Sequence, residues 1–108
     1  MVNDLSTEYV KTELHKGVAN IEFFHPQSNS LPGKILHELT AAITQAGGDP
    51  NVAVIILRSA GEKAFCAGAS FDELVAIQNE QEGLAFFSGF ANVINAMKAC
   101  PKFIIGRI

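Results

Sequence analysis

At 108 residues the chain has the length of one small domain. Thirty-three residues are Leu, Ile, Val or Phe, well above the roughly 20% below which chains stay disordered, so a core can form. Eight Lys and Arg against eleven Asp and Glu leave a net charge of −3, which excludes the dense basic face that nucleic-acid binding requires.

The N-terminus, MVNDLSTEYVK, lacks the basic patch, apolar core and small-residue cleavage site of a signal peptide, so the cytoplasm is the default location. From Tyr9 to His15 apolar and polar residues alternate, and a second apolar stretch, Val18 to Phe24, follows a Lys16-Gly17 break. This pattern predicts a hairpin. His25-Pro26-Gln27-Ser28-Asn29-Ser30 is rich in turn formers and reads as a loop. Leu31, Ile35, Leu36, Leu39, Ala42, Ile43 and Ala46 then fall at helical spacing, with Ser30 as the expected cap, Pro32 in the first turn and Gly47-Gly48 as the stop. The VAVIIL run from Val52 to Leu57 lacks polar alternation and is rich in β-branched residues. It predicts a strand covered on both faces of a parallel sheet.

A second helix is expected from Gly83 to Ala99, ending before Pro101. Its uncharged stretch, Gly83 to Met97, is 15 residues long and broken by Ser88, Asn92 and Asn95, too short and too polar to span a bilayer. Lys102 to Ile108 opens another strand-like run. A strand that stops there leaves donors and apolar side chains needing partners, so a fragment is expected, prone to edge pairing when expressed alone.

The stretch with most chemical content is VAVIILRSAGEKAFCAGASFDEL, Val52 to Leu74: strand, loop, small-residue turn, helix start. Ser70-Phe71-Asp72-Glu73 fits the capping box, in which Ser70 accepts from the Glu73 amide and the Glu73 carboxylate reaches back to the Ser70 amide. Ala67-Gly68-Ala69 carries no bulk, so a ligand can approach main-chain amides at the helix N-terminus, where negative charge is favoured. Making room for packing is the commoner use of such a turn. Neither GxxxxGK[ST] nor GxGxxG occurs, which excludes two familiar nucleotide-phosphate loops.

Val52 to Leu74 closely resembles the first signature of the enoyl-CoA hydratase/isomerase (crotonase) family, where a buried strand leads through a loop to FxAGAD and a helix. His25-Pro26 with Asn29-Ser30-Leu31 is similar to the family's RPxxxNAL segment, and Cys100 to Gly106 to its CPKPVIA strand. The resemblance implies an α/β, crotonase-like ββα superhelix, with residues 1–108 as the N-terminal part of one such domain before its second glycine-rich motif. It also implies acyl-CoA thioester substrates and trimers or dimers of trimers. No separate cofactor is implied, since coenzyme A enters as part of the thioester.

Carried over position by position, the Ala69 amide would be one of two oxyanion-hole donors. The main chain at Cys66, Ala67 and Gly68 would lie along the bound CoA and contact its adenine, and Lys63 would lie near the CoA phosphates. Ser70 stands where the family often has Asp; both cap helices, so the turn should survive. The second oxyanion donor and the catalytic glutamates would follow Ile108, so no acid or base is assigned here. The activity implied is hydration of a 2-enoyl-CoA. The alternatives are isomerisation of a related acyl-CoA, or a CoA-binding or assembly module without turnover.

The remaining candidates read as structural. Asp72 and Glu73 are adjacent and diverge on a helix, which suits cap and surface roles. His15, His25 and His37 show no metal-ligand spacing. Cys66 and Cys100 form no CxxC and read as reduced thiols, Cys66 as a small packing residue. Phe86, Phe87 and Phe90 are broader than one core face needs; core packing is expected, with an acyl pocket or subunit contact as the alternative.

Overall fold

Alternating side chains build the first unit, and the computed structural model, which describes residues 7–62 and 64–108, pairs Tyr9–His15 (β1) with Val18–Phe24 (β2) antiparallel, from Tyr9↔Phe24 to His15↔Val18. Lys16 and Gly17 turn the hairpin with φ of 49° and 81°, the left-handed pair whose twist matches the strands. Ala19, Ile21 and Phe23 of β2 are buried on one face of this ribbon. After the turn at residues 25–29 comes a two-residue strand, Ser30–Leu31 (β3), and then the helix Gly33–Gly48 (α1). Ile35, Leu36, Leu39 and Ile43 of that helix are buried in the same core as the apolar side of β2.

The chain returns as Val54–Ser59 (β4), parallel to β2 from Val18↔Val54 to Phe23↔Ser59. A second two-residue strand, Gly68–Ala69 (β5), pairs with β3 and leads into a short helix, Phe71–Val75 (α2). The long helix Glu80–Ala99 (α3) packs on α1 and delivers the chain to Phe103–Arg107 (β6), parallel to β4. The main sheet thus has the order β1-β2-β4-β6, one antiparallel pair followed by two parallel ones. Helices α1 and α3 approach closely at Gly89, where an added Cβ would stand 3.0 Å from Leu36 Cδ1. Lys102 Nζ donates to the carbonyls of Asp49 (2.7 Å) and Val52 (2.6 Å), tying the start of β6 to the turn between α1 and β4.

The opposite sheet face bears a row of charges in register: Lys11↔Glu22↔Arg58↔Arg107. Glu22 is buried there, accepting from the Tyr9 hydroxyl and from Nε and Nη2 of Arg58, with Lys11 Nζ at 3.7 Å. Burial alone pushes the Glu22 carboxyl upward, but the hydrogen bonds from Tyr9 and Arg58 and the charges of Arg58 and Lys11 outweigh it, and the group titrates below the usual carboxylate range. Tyr9 moves the other way, pushed up to about 12 by burial, then by its bond to Glu22 and that carboxylate's charge.

Several sequence expectations need correction. Ser30 does not cap α1: it is paired with Gly68, and the N-cap position is Pro32, which has no side-chain acceptor to offer. The helix runs through Gly47 and Gly48 and stops at Asp49, whose backbone is extended. The strand of the VAVIIL run lies two residues later than expected, and within it only Ile55 is buried, in the core shared with α1 and Val93 of α3, while its other residues are half-exposed. The second helix begins at Glu80, not Gly83, since Asn79 Oδ1 accepts from the Glu82 amide at 2.8 Å and starts it a turn earlier.

Candidate functional site

The segment between β4 and β5 is irregular among its described residues, so its position is set by the few groups that hold it. Gly61 (φ 94°) bends it, Phe65 packs edge-on against Phe23 with ring centroids 5.3 Å apart, and Gly68 (φ 99°) re-aims the chain into β5. Nothing lies within 4 Å of a Cβ added at Gly68, so glycine is needed there for its left-handed backbone, not for space.

Ser30↔Gly68 and Leu31↔Ala69 form a short parallel ladder, and the Ser70 amide donates to the Leu31 carbonyl at 3.1 Å. Successive amides in an extended strand point to opposite sides, so with the Ser70 amide turned toward β3 that of Ala69 points away from it. Cys66 and Ala67 are exposed, Gly68 and Ala69 half-buried, and Ser70 buried. The resulting surface is an exposed to half-buried turn of small residues.

Beyond it, half of the expected capping box forms. Ser70 Oγ accepts from the Glu73 amide at 3.3 Å, but the Glu73 carboxylate does not reach back to Ser70. Its two oxygens accept instead from the Gly33 amide, at 3.1 and 3.2 Å, at the start of α1. Glu73 is therefore a cap, as its position suggested, but of α1 and not of its own helix. Asp72 remains exposed, accepting from Gln27 Nε2 at 3.3 Å. Because α2 has only five residues, its dipole is small, and any preference for negative charge at the turn rests on individual N–H groups.

Asn29 was missed as a site residue. It is 2% exposed, in a left-handed conformation (φ 59°) next to Ser28 (φ 58°). Its Nδ2 donates to the carbonyls of Ala60 (2.9 Å) and Ala64 (2.7 Å), its Oδ1 accepts from the His25 amide (2.8 Å), and its carbonyl accepts from the Ala67 amide (3.2 Å). An Asn in a turn is a legible local signal, but partners 31 to 38 residues away are not.

The other expected residues are placed as follows. Lys63 lies outside the described residues. Cys66 is exposed and not a packing residue; the Gly68 amide donates to its Sγ at 3.4 Å, and both cysteines are free thiols. The Phe stripe divides: Phe86 is buried and Phe90 packs against the core, while Phe87 is exposed. A cavity of about 220 Å³ lies between the His25–Asn29 turn and Ala60–Glu62, and one of about 350 Å³ between Gly33, Glu73, Ile77 and Phe86. Among the described residues no group of three His, Cys, Asp or Glu side chains is placed to hold a metal, and no helix is long and apolar enough to cross a membrane.

A hairpin feeding parallel strands through helical crossovers, with an irregular small-residue turn after the second of those strands, is the arrangement of the crotonase fold. The chain belongs to the enoyl-CoA hydratase/isomerase family, whose model matches residues 13–108. It is 30% identical over 100 residues to YngF of Bacillus subtilis, described as an enoyl-CoA hydratase/isomerase, covering 90% of this chain and 37% of that one. Its fold superposes on the enoyl-CoA hydratase of Bacillus anthracis with a TM-score of 0.81 at 30% identity, over 90% of this chain and 38% of that one. A Geobacillus kaustophilus protein of the same description gives a TM-score of 0.83 at 24% identity, over 93% of this chain and 38% of that one, a likeness of fold alone. The chain spans less than two fifths of each of these relatives.

Proposed function

We propose that these residues form the acyl-CoA-binding turn and the first oxyanion donor of an enzyme that hydrates 2-enoyl-CoA thioesters. The observation that supports this reading is the β3–β5 pairing: it engages the Ser70 amide, so that the Ala69 amide points away from β3 beside a turn built of Ala67, Gly68 and Ala69. Adding water to the double bond of an enoyl thioester places negative charge on the thioester oxygen. An N–H fixed toward that oxygen stabilises the enolate-like state, and losing one such donor typically costs about 3 kcal/mol, or roughly 100- to 1000-fold in rate. Family membership supports the substrate class. Cys66 and Ala67 are exposed, and with Gly68 beside them they suit an approach by CoA and its adenine; Lys63 is the candidate for the CoA phosphates. Assembly as a trimer or dimer of trimers is part of the same reading.

One observation favours a narrower role for this stretch by itself. The carboxylates closest in sequence to the turn are engaged elsewhere, Glu73 with the Gly33 amide and Asp72 with Gln27, which leaves neither free to move a proton at a bound thioester. Residues 1–108 alone would then bind the thioester without turnover.

Replacing Ala69 with lactic acid exchanges its amide for an ester and removes one N–H while keeping the methyl group. Acetoacetyl-CoA, whose enolate absorbs in the near ultraviolet, is the probe. The expected result is enolate absorbance on binding to the unmodified chain and an affinity lower by at least tenfold in the ester. Equal affinities would overturn the role of Ala69. Loss of crotonyl-CoA absorbance, measured in parallel, separates turnover from binding alone.

A further inference from the structure

Among its described residues the loop from Ala60 to Ala67 runs without regular structure into the turn that presents Ala69, yet three of its main-chain groups converge on one side chain and backbone. Asn29 Nδ2 donates to the Ala60 and Ala64 carbonyls, and the Asn29 carbonyl accepts from the Ala67 amide, so the beginning, middle and end of the loop hang from a single residue. That residue is itself immobilised. Its Oδ1 accepts from the His25 amide, its own amide donates to the His25 carbonyl, and it is 2% exposed. It also occupies a left-handed backbone conformation, which an L-residue keeps only where its surroundings over-determine it and which Asn tolerates better than most. Beyond Asn29 the chain passes directly into β3, whose two residues pair with Gly68 and Ala69. The same turn therefore holds both the loop and the strand against which the Ala69 amide is oriented.

We propose that Asn29 is the positioning residue of this turn: its carboxamide fixes the Ala60–Ala67 loop so that the Ala69 amide stands where a thioester oxygen is received. The proposal rests on the reading of Ala69 given above and adds a residue that touches neither substrate nor reacting atoms. Two donors meeting two carbonyls is a requirement that a carboxylate cannot meet. Asp at this position keeps the acceptor for His25 and the tolerance for positive φ, but sets negative charge against the Ala60 and Ala64 carbonyls. Glycine removes the side-chain bonds and relieves the backbone conformation.

The test compares the chain with its Asn29→Gly and Asn29→Asp variants, two independent ways of removing the donors, so that failure of either to fold leaves the other. Hydrogen exchange reads the clamp with no ligand present: amides at 64–69 should exchange at least about tenfold faster in the variants, with those of α1 unchanged. Equilibrium binding of acetoacetyl-CoA and of free CoA reads the positioning. Free CoA has no thioester oxygen, so the ratio of the two affinities should fall about tenfold or more, whereas a general loss of folded protein lowers both together and leaves the ratio unchanged. Unchanged exchange at 64–69, or faster exchange with an unchanged ratio, overturns the proposal. If the unsubstituted chain shows no preference for acetoacetyl-CoA over CoA, the reading of Ala69 fails and the positioning role with it, while the exchange data still show whether Asn29 holds the loop.

Discussion

Helix α1 depends on a residue 40 positions away for its N-terminal cap, and removing that residue gives the sharpest test of how the site is held. Pro32 at the N-cap offers no side-chain acceptor and the first turn carries no acidic residue. The Glu73 carboxylate, on α2, supplies both functions by accepting from the Gly33 amide through both oxygens. Loss of an N-cap costs about 1 kcal/mol, with a range of roughly 0.5–2, and loss of a negative charge at a helix N-terminus a further 0.3–1 or so at low ionic strength. Glu73→Ala should therefore destabilise the chain by about 1.5–2 kcal/mol, a fall in Tm of roughly 10 °C for a domain of this size. Glu73→Gln keeps an acceptor and loses only the charge, so it should cost about 0.5 kcal/mol, and the deficit should shrink in 1 M salt. Urea denaturation of the three proteins at low and high salt measures all of these quantities. If Gln is indistinguishable from the parent and salt leaves the Ala deficit unchanged, charge plays no part in the cap. If Ala lies within about 0.3 kcal/mol of the parent, Glu73 does not cap α1 at all.

Other outcomes follow from single contacts. The chain has one tyrosine and no tryptophan, so absorbance reports Tyr9 alone: its phenol should titrate near 12 in the folded protein, and the stability tied to its neutral form should be complete below pH 10 and lost as pH rises toward 12. Glu22 has the opposite sign. Its lowered carboxyl stabilises the fold at neutral pH, and that contribution should disappear as pH falls through and below the usual carboxylate range, a dependence that Glu22→Gln should flatten in denaturation curves at pH 7 and pH 3. Lys102→Met removes both bonds to the Asp49 and Val52 carbonyls and should cost about 1–3 kcal/mol, with faster hydrogen exchange around residues 49–54. Gly89→Ala would drive a methyl onto Leu36, and the overpacking, about 1–3 kcal/mol, should exceed the gain in helix propensity of about 1 kcal/mol. A thermal melt above the parent's would show that α1 and α3 can separate at no cost.

The elements with one clear periodicity were legible. The hairpin of β1 and β2, the parallel placement of β4, the body of α1 and the strand β6 all follow from spacing and β-branched content, which act locally, whereas the burial of β4 on both faces that its apolar run implied does not form. What the sequence concealed was the destination of short polar side chains. Ser30 and Glu73 both stand where local rules expect helix caps, and both are drawn away by the same event, the approach of β3 to β5, which pairs Ser30 with Gly68 and leaves the Gly33 amide free for Glu73. Asn79 and Glu82, by contrast, form a local cap that was open to reading and sets the true start of α3. The small-residue turn was visible as composition, but the direction of the Ala69 amide was not, since it depends on which neighbouring amide β3 takes up.

That dependence explains how so small a ladder can hold a directional group. Two residue pairs are far too few to fix a strand by themselves, for isolated hairpins with many more are marginal in water. Here the ladder is closed on both sides by bonds from residues adjacent to it: Asn29, before β3, holds the loop that enters β5, and Glu73, after β5, holds the first amide after β3. Each tether links the stretch around residue 30 to the stretch around residue 70, and the Ala69 amide lies between them. Cutting one tether leaves the turn hinged on the other, so the two losses should not add. A chain carrying both Asn29→Gly and Glu73→Ala should lose more protection from hydrogen exchange at 67–69 than the single variants together, with a coupling of about 0.5–3 kcal/mol. Strict additivity would mean that the two ends of the ladder are held independently, and that the turn owes its direction to the Leu31↔Ala69 pairing alone.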